Sequence, residues 1–307
     1  MKKTYLILTF LMILIVFVSA CKQTAKTTGP FKGGINGVDI SFLPTSPPSE
    51  FNAKDNVPVK VLLKDKGERD VAQGEAKVQI YGIHYPSFGL SEGYKATSGK
   101  LIGISEFVTE GGEQQVDMGT ISYNKEIVNF DEFQLKARVC YPYTTKSQLN
   151  ACISSLNLEQ GGAEKVCSIQ GEKLNKGDTS SAPIQITSIT EKLRGSDQLL
   201  FSIAIENKGK GEVYRPTMEC IDLDDAIKKS DNADVIKVIV PDDIKCSFLG
   251  ETASVGEVRL AANKNVLTCR RDVPETGSNF EQKLTILLEY KYVDTATKSI
   301  KIFETST

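Results

Sequence analysis

The 307-residue chain is long enough for two ordinary domains, and its 37 basic residues nearly balance its 39 acidic ones. That balance argues against a nucleic-acid binder, which carries a basic excess or stripe. One histidine, His84, removes mechanisms that need two imidazoles as well as His-rich metal sites.

The chain starts "MKKTYLILTFLMILIVFVSAC": a short basic region (Lys2, Lys3), a mostly apolar run from Tyr5 to Val18, then Ser19, Ala20 and Cys21. As a helix, Tyr5–Val18 would span about 21 Å, short of the roughly 30 Å hydrocarbon core, so a signal peptide over 1–20 is expected. "VSAC" resembles a lipobox, which implies cleavage before Cys21 and a lipid on its sulfur. The segment 21–36, "CKQTAKTTGPFKGGIN", is polar and reads as a lipid-anchored flexible tether.

A first β-sandwich is expected over 37–141. "GVDISFL" and "VPVKVLL" alternate apolar and polar residues, the mark of half-buried strands, and Pro47 and Pro48 separate them. "AKVQIYGI" follows, then weaker strands around Leu101–Val108 and Val116–Ile121. In "FQLKARVCY", Phe133, Leu135, Ala137, Val139 and Tyr141 share one face and Cys140 points to the other. From Pro142 to Ala182 the pattern dissolves, so 142–182 reads as a cysteine-containing insert and an interdomain linker, "LNKGDTSSAP".

A second sandwich is expected over 183–307. It opens with "PIQITSI" and "LLFSIAIEN", and continues with "VIKVIV", "GEVRLA", "KLTILLEYKY" and "KSIKIF". One helix is predicted over Asp222–Lys229, with Asp222 as its cap. The fold class is therefore all-β: two tandem immunoglobulin-like sandwiches, a short helix in the second, and a disulfide-pinned insert between them.

Two turns repeat 142 positions apart, "LLKDKGERDV" around Gly67 and "AIENKGKGEV" around Gly209. Asp65 or Asn207 precedes each Lys-Gly, and the glycines suit turns with positive φ. The strand–turn–strand arrangement, with its Asn207-Lys208-Gly209 turn, resembles the CARDB-type immunoglobulin-like domains of prokaryotic surface lipoproteins. The resemblance covers about Pro183–Tyr214, and more faintly Gly37–Ile83. It implies an extracytoplasmic adhesion or scaffold module without catalytic residues.

Apart from Cys21, six cysteines remain: Cys140, Cys152, Cys167, Cys220, Cys246 and Cys269. In an exported chain they read as three disulfides, with fifteen connectivities that spacing does not resolve. Cys246–Cys269 is the favoured pair, and at least one bridge must cross between the halves or involve the linker. No Cys-x-x-Cys pair supports zinc.

The aromatic-rich stretch Tyr81, His84, Tyr85, Phe88 and Tyr94 is the candidate ligand surface, since rings with polar tips suit glycans or proteins. His84 lacks a Gly-x-Ser-x-Gly partner motif for hydrolysis. Asp222, Asp224 and Asp225 offer oxygens to Ca²⁺ but lack a twelve-residue ligand loop, so a solvated helix start is preferred. No cofactor motif occurs. The expectation is a membrane-anchored binding, adhesion or scaffold module with a surface protein or glycan as partner. The alternative is an accessory ligand-capture or hydrolase-associated subunit of a cell-envelope complex.

Overall fold

The structure, a computed structural model, describes residues 29–154, 166–195, 197–273 and 279–305. The expected signal peptide and Cys21 lie outside them. The first half contributes β1 (Val38–Phe42), β2 (Glu50–Asn52), β3 (Val57–Asp65), β4 (Lys77–Tyr81), β5 (Lys95–Ala96), β6 (Glu113–Ile121) and β7 (Phe130–Ile153). The second contributes β8 (Gly171–Glu172), β9 (Ile184–Arg194), β10 (Gln198–Asn207), β11 (Glu212–Tyr214), β12 (Val235–Ile239) and β13 (Lys245–Ser247). It ends with β14 (Thr252–Ala253), β15 (Val255–Arg259), β16 (Lys264–Asp272) and β17 (Phe280–Phe303). The fold is an all-β sandwich.

Among the described residues three sheets form, ordered β1-β3-β6, β14-β13-β16-β10-β9-β8, and a central β15-β12-β17-β7-β4-β5 to which β2 and β11 attach through β17. The alternation read from the sequence sets the faces. Val57, Val59, Val61 and Leu63 of β3 are buried, as are Leu199, Phe201, Ile203 and Ile205 of β10. Strand neighbours repeat between the halves: β1 beside β3 beside β6 matches β9 beside β10 beside β16, and β4 beside β7 matches β12 beside β17.

The central feature is β7 against β17, two 24-residue strands paired antiparallel along their whole length, from Phe130↔Phe303 to Ile153↔Phe280. The expected end of the first sandwich at Tyr141 therefore falls in mid-strand. The expected strands "KLTILLEYKY" and "KSIKIF" are one strand, whose two parts serve different halves. Leu288 lies on the stretch that pairs with β12, while Ile302 lies on the stretch that pairs with β2.

The pattern failed after Pro142 because the inward face turns polar while staying buried. Thr145 Oγ1 donates to Ile184 O, and Ser147 Oγ lies 3.1 Å from Thr179 Oγ1. The partners come from the start of the expected second sandwich and from the expected linker, whose residues Asp178–Ala182 are themselves buried against β7. Part of the expected tether is likewise laid onto the body. Gly29 N donates to Lys176 O (3.2 Å), and the Glu68 carboxylate accepts from Lys32 N, Gly33 N and Ser181 N.

The single helix expected at Asp222–Lys229 is instead a 3₁₀ turn, Cys220–Asp224, followed by α2 (Ala226–Asn232); a four-residue α1 (Tyr85–Phe88) precedes both in the chain. Asp225, not Asp222, caps α2 by accepting from Ile227 N and Lys228 N. Asp222 instead closes a capping box with Glu219 around the 3₁₀ turn. No strand forms over Leu101–Val108; Leu101 makes a lone bridge to Val71.

Candidate binding surfaces

The disulfides are Cys140–Cys220, Cys152–Cys167 and Cys246–Cys269. Cys246 and Cys269 sit opposite each other on β13 and β16, the pair favoured from the sequence. Cys152–Cys167 pins the insert at the end of β7. Cys140–Cys220 is the bridge that crosses between the halves. It ties the 3₁₀ turn to the outer face of β7, where Cys140, Tyr214, Met218, Cys220, Leu223 and Val293 form a second, smaller core.

The aromatic stretch does come together, but around a residue of the chain itself. Arg138 follows the outward rhythm of β7 and is buried, with its guanidinium 5.0 Å from the Tyr81 ring centroid and 5.5 Å from that of Tyr94. It donates to Gln79 Oε1 and to Asp224 Oδ1. Burial raises the phenol pKa of Tyr81, Tyr85 and Tyr94. Tyr85 Oη donates to Ile80 O, so its hydroxyl is committed within the chain.

Phe88, 2% exposed, packs edge-on against Tyr123 and Phe133 at 5.0 and 5.1 Å, each contact contributing about 0.5–1.5 kcal/mol beyond burial. His84 is exposed at the start of α1, its Nδ1 2.8 Å from Ser87 Oγ. Of the five expected ligand residues, then, His84 alone is exposed. Sequence reading missed Arg138 and Gln79; the available signal was a charged residue on a strand face two positions before a cysteine.

The acidic run is divided by the fold. Asp222 pairs with Lys228 (2.8 Å), which holds its carboxyl below the usual range; Asp224 pairs with Arg138; Asp225 caps α2. Among the described residues no group of three or more His, Cys, Asp or Glu is placed to hold a metal.

The repeated turns line one cleft, and their glycines have a different cause from the one expected. Gly67 and Gly209 do not take positive φ. A Cβ at Gly67 would lie 1.8 Å from Tyr143 Oη, and one at Gly209 would lie 2.2 Å from Tyr292 Oη. The glycines exist to let a tyrosine hydroxyl approach. Tyr143 Oη accepts from Arg69 N (3.2 Å) and Tyr292 Oη from Gly211 N (2.8 Å). Asp65 Oδ1 and Asn207 Oδ1 each accept from the following glycine N–H, at 3.0 and 3.1 Å. One residue pair earlier in each strand, Tyr141 Oη accepts from Val38 N and Tyr290 Oη from Ile184 N.

The four tyrosines form one cluster on β7 and β17, with Tyr141 opposite Tyr292 and Tyr143 opposite Tyr290. Between the two turns lies a cleft of about 210 Å³, faced by Lys66, Lys208, Lys210, Asp39 and Asp294. Lys66 pairs with Asp39 at 2.6 Å and Lys208 with Glu206. Burial, reinforced by Asp39, raises the Asp294 pKa. The cleft thus presents mixed charge over an aromatic floor.

No protein-family model and no curated protein matches the chain. Two solved structures align weakly. Escherichia coli alpha-2-macroglobulin activated by porcine elastase is 9% identical over 87% of this chain, at a TM-score of 0.15. The chain spans 32% of that protein's length. The collagen adhesin of S. aureus is 11% identical over 90% of this chain and 94% of its own, at a TM-score of 0.10. Likeness at this level carries no argument about fold or activity.

Proposed function

We propose that the chain is a lipid-anchored extracytoplasmic module that binds or scaffolds a surface protein or glycan, without catalysis or cofactor. The observation that carries this reading is the pairing of the cysteines. All six after Cys21 pair with one another, five of them at buried positions, which suits an oxidising compartment. That leaves Cys21 as the one thiol outside the disulfide framework, at the end of a signal-like segment. Among the described residues no helix is long and apolar enough to cross a membrane. The aromatic groups around Arg138 are occupied internally, so the cleft between the twin turns is the surface we assign to the partner.

Mass spectrometry of the N-terminal peptide from membrane-extracted protein tests the anchor. An acylated peptide beginning at Cys21 is expected, and Cys21→Ser should release folded protein from membranes. An unmodified Cys21, or a peptide beginning at Met1, refutes the reading.

A further inference from the structure

We propose that the loop between Leu101 and Gly112 docks its tip residue, Phe107, against the bilayer to which the chain is anchored; this rests on the lipid-anchor reading. Phe107 is 94% exposed, the most exposed large apolar side chain among the described residues. A frayed loop could expose a ring by accident, but this loop is built. Its tip is closed by Ser105 N donating to Val108 O (2.8 Å) and Val108 N donating to Ser105 Oγ (3.0 Å). Its root is held by Ile104 N to Gly67 O (2.7 Å), Gly103 N to Asp70 Oδ1 (2.8 Å) and Gly112 N to Ile102 O (2.6 Å). A fixed turn that holds a phenylalanine out in water forgoes the burial free energy that an apolar surface receiving the ring would supply, about 1.5–3 kcal/mol for a full burial.

The position of the chain's entry identifies what receives it. Gly29 and Phe31 line the same cleft as Ile104 and Phe107, a space of about 430 Å³, and Lys32 Nζ donates to Ser105 O across it at 2.6 Å. Eight residue steps separate Gly29 from Cys21. They span at most about 27 Å when fully extended and about 16 Å as a flexible chain. A lipid on Cys21 therefore holds the Phe107 cleft within that distance of the bilayer at all times. Such tethering turns a weak ring–lipid contact into an intramolecular one at high effective concentration. Lys22, Lys26 and Lys32 add attraction to anionic headgroups, and Glu68 and Glu106, which line the cleft with Phe107, oppose it, so the ring is the determinant.

The chain contains no tryptophan, so Phe107→Trp supplies a sole indole reporter at an exposed site that tolerates substitution. The lipidated full chain carrying Phe107→Trp is reconstituted into phosphatidylcholine vesicles and compared with the soluble chain beginning at residue 22. The expected result is a blue-shifted indole emission on vesicles, a several-fold fall in acrylamide quenching, and quenching by lipids brominated near the headgroup. Leu249→Trp, at a residue that is 83% exposed, should stay water-accessible on the same vesicles. Vesicle-bound Phe107→Trp protein whose indole is quenched as in the soluble chain overturns the docking and leaves the anchor standing. Equal protection at positions 107 and 249 also overturns it, as does concentration-dependent protection in the soluble chain, which would assign the ring to a second copy. Failure of the Cys21-bearing chain to float with vesicles removes the anchor and the docking together.

Discussion

Gly209→Ala separates a steric requirement from a backbone one. Gly209 does not take positive φ, so alanine is conformationally compatible, and in open space it would stabilise the protein by about 0.4–1 kcal/mol through the unfolded chain. The new Cβ would instead lie 2.2 Å from Tyr292 Oη, 2.7 Å from Pro183 Cβ and 3.0 Å from Tyr292 Cζ. Tyr292 has little room to retreat, because its ring packs on Tyr141 and Tyr290 and its hydroxyl holds Gly211 N and Asn207 Oδ1. Overpacking of about 1–3 kcal/mol plus two hydrogen bonds of about 1 kcal/mol each, less the unfolded-chain gain of about 0.4–1 kcal/mol, gives an expected loss of about 2–4.5 kcal/mol. Tyr292→Phe alone should cost about 1–2 kcal/mol. The double variant should cost less than the sum by about 1 kcal/mol or more, because the phenylalanine removes the closest clashing atom. Urea unfolding of the oxidised proteins, followed by circular dichroism at constant m, measures all three. A neutral or stabilising Gly209→Ala, or strict additivity in the cycle, would refute the reasoning.

Other perturbations test the rest of the architecture. Removing Cys140–Cys220, whose cysteines are 80 positions apart, should cost up to about 4.5 kcal/mol in the chain-entropy account, against about 3 for Cys152–Cys167 at 15. Paired Cys→Ala variants in the same urea assay check that order, and a reversed order would count against it. Burial pushes the Asp65 carboxyl up to about 7, with the Gly67 N–H opposing and Asp70 assisting. Its folded pKa exceeds the unfolded value of about 4, so the native state binds the extra proton and Asp65's stabilisation is lost as pH rises towards and through 7. Asp65→Asn, which copies Asn207 of the second turn, should remove a slope of up to about 1.4 kcal/mol per pH unit over that range. Urea midpoints at pH 5 and pH 8 decide this; an equal variant-to-wild-type difference at both would exclude the assignment.

The sequence made the strands legible wherever one face was apolar and the other polar, as in β3, β10 and the first part of β17. It also revealed the duplication, because Lys-Gly after Asp65 or Asn207 is a local pattern. What stayed hidden depends on contacts made from far away. Thr145 and Ser147 look like loop residues until the segment at 178–184 satisfies their hydroxyls. In β17, Ala296 and Lys298 break the apolar rhythm, yet Lys298 Nζ donates to Leu43 O and Pro44 O from the other end of the chain. The tyrosines around Arg138 looked like a surface because no local pattern marks a buried guanidinium that recruits Asp224 from the second half. By local pattern the glycines of the twin turns suit positive φ, whereas their partners, Tyr143 and Tyr292, lie on strands that no local signal connects to those turns.

The paired 24-residue strands also govern when the protein can fold. Every residue pair between β7 and β17 joins positions more than a hundred residues apart, and Ile300 and Ile302 complete the core of the half that is made first. Domains usually close one after another as a chain emerges. Here neither half can be finished before residues 280–303 arrive, so the chain stays open through most of its synthesis. For the chain, that delay makes the arrival of β17 the step that completes both halves at once. The final strand and the three disulfides then close the two halves together.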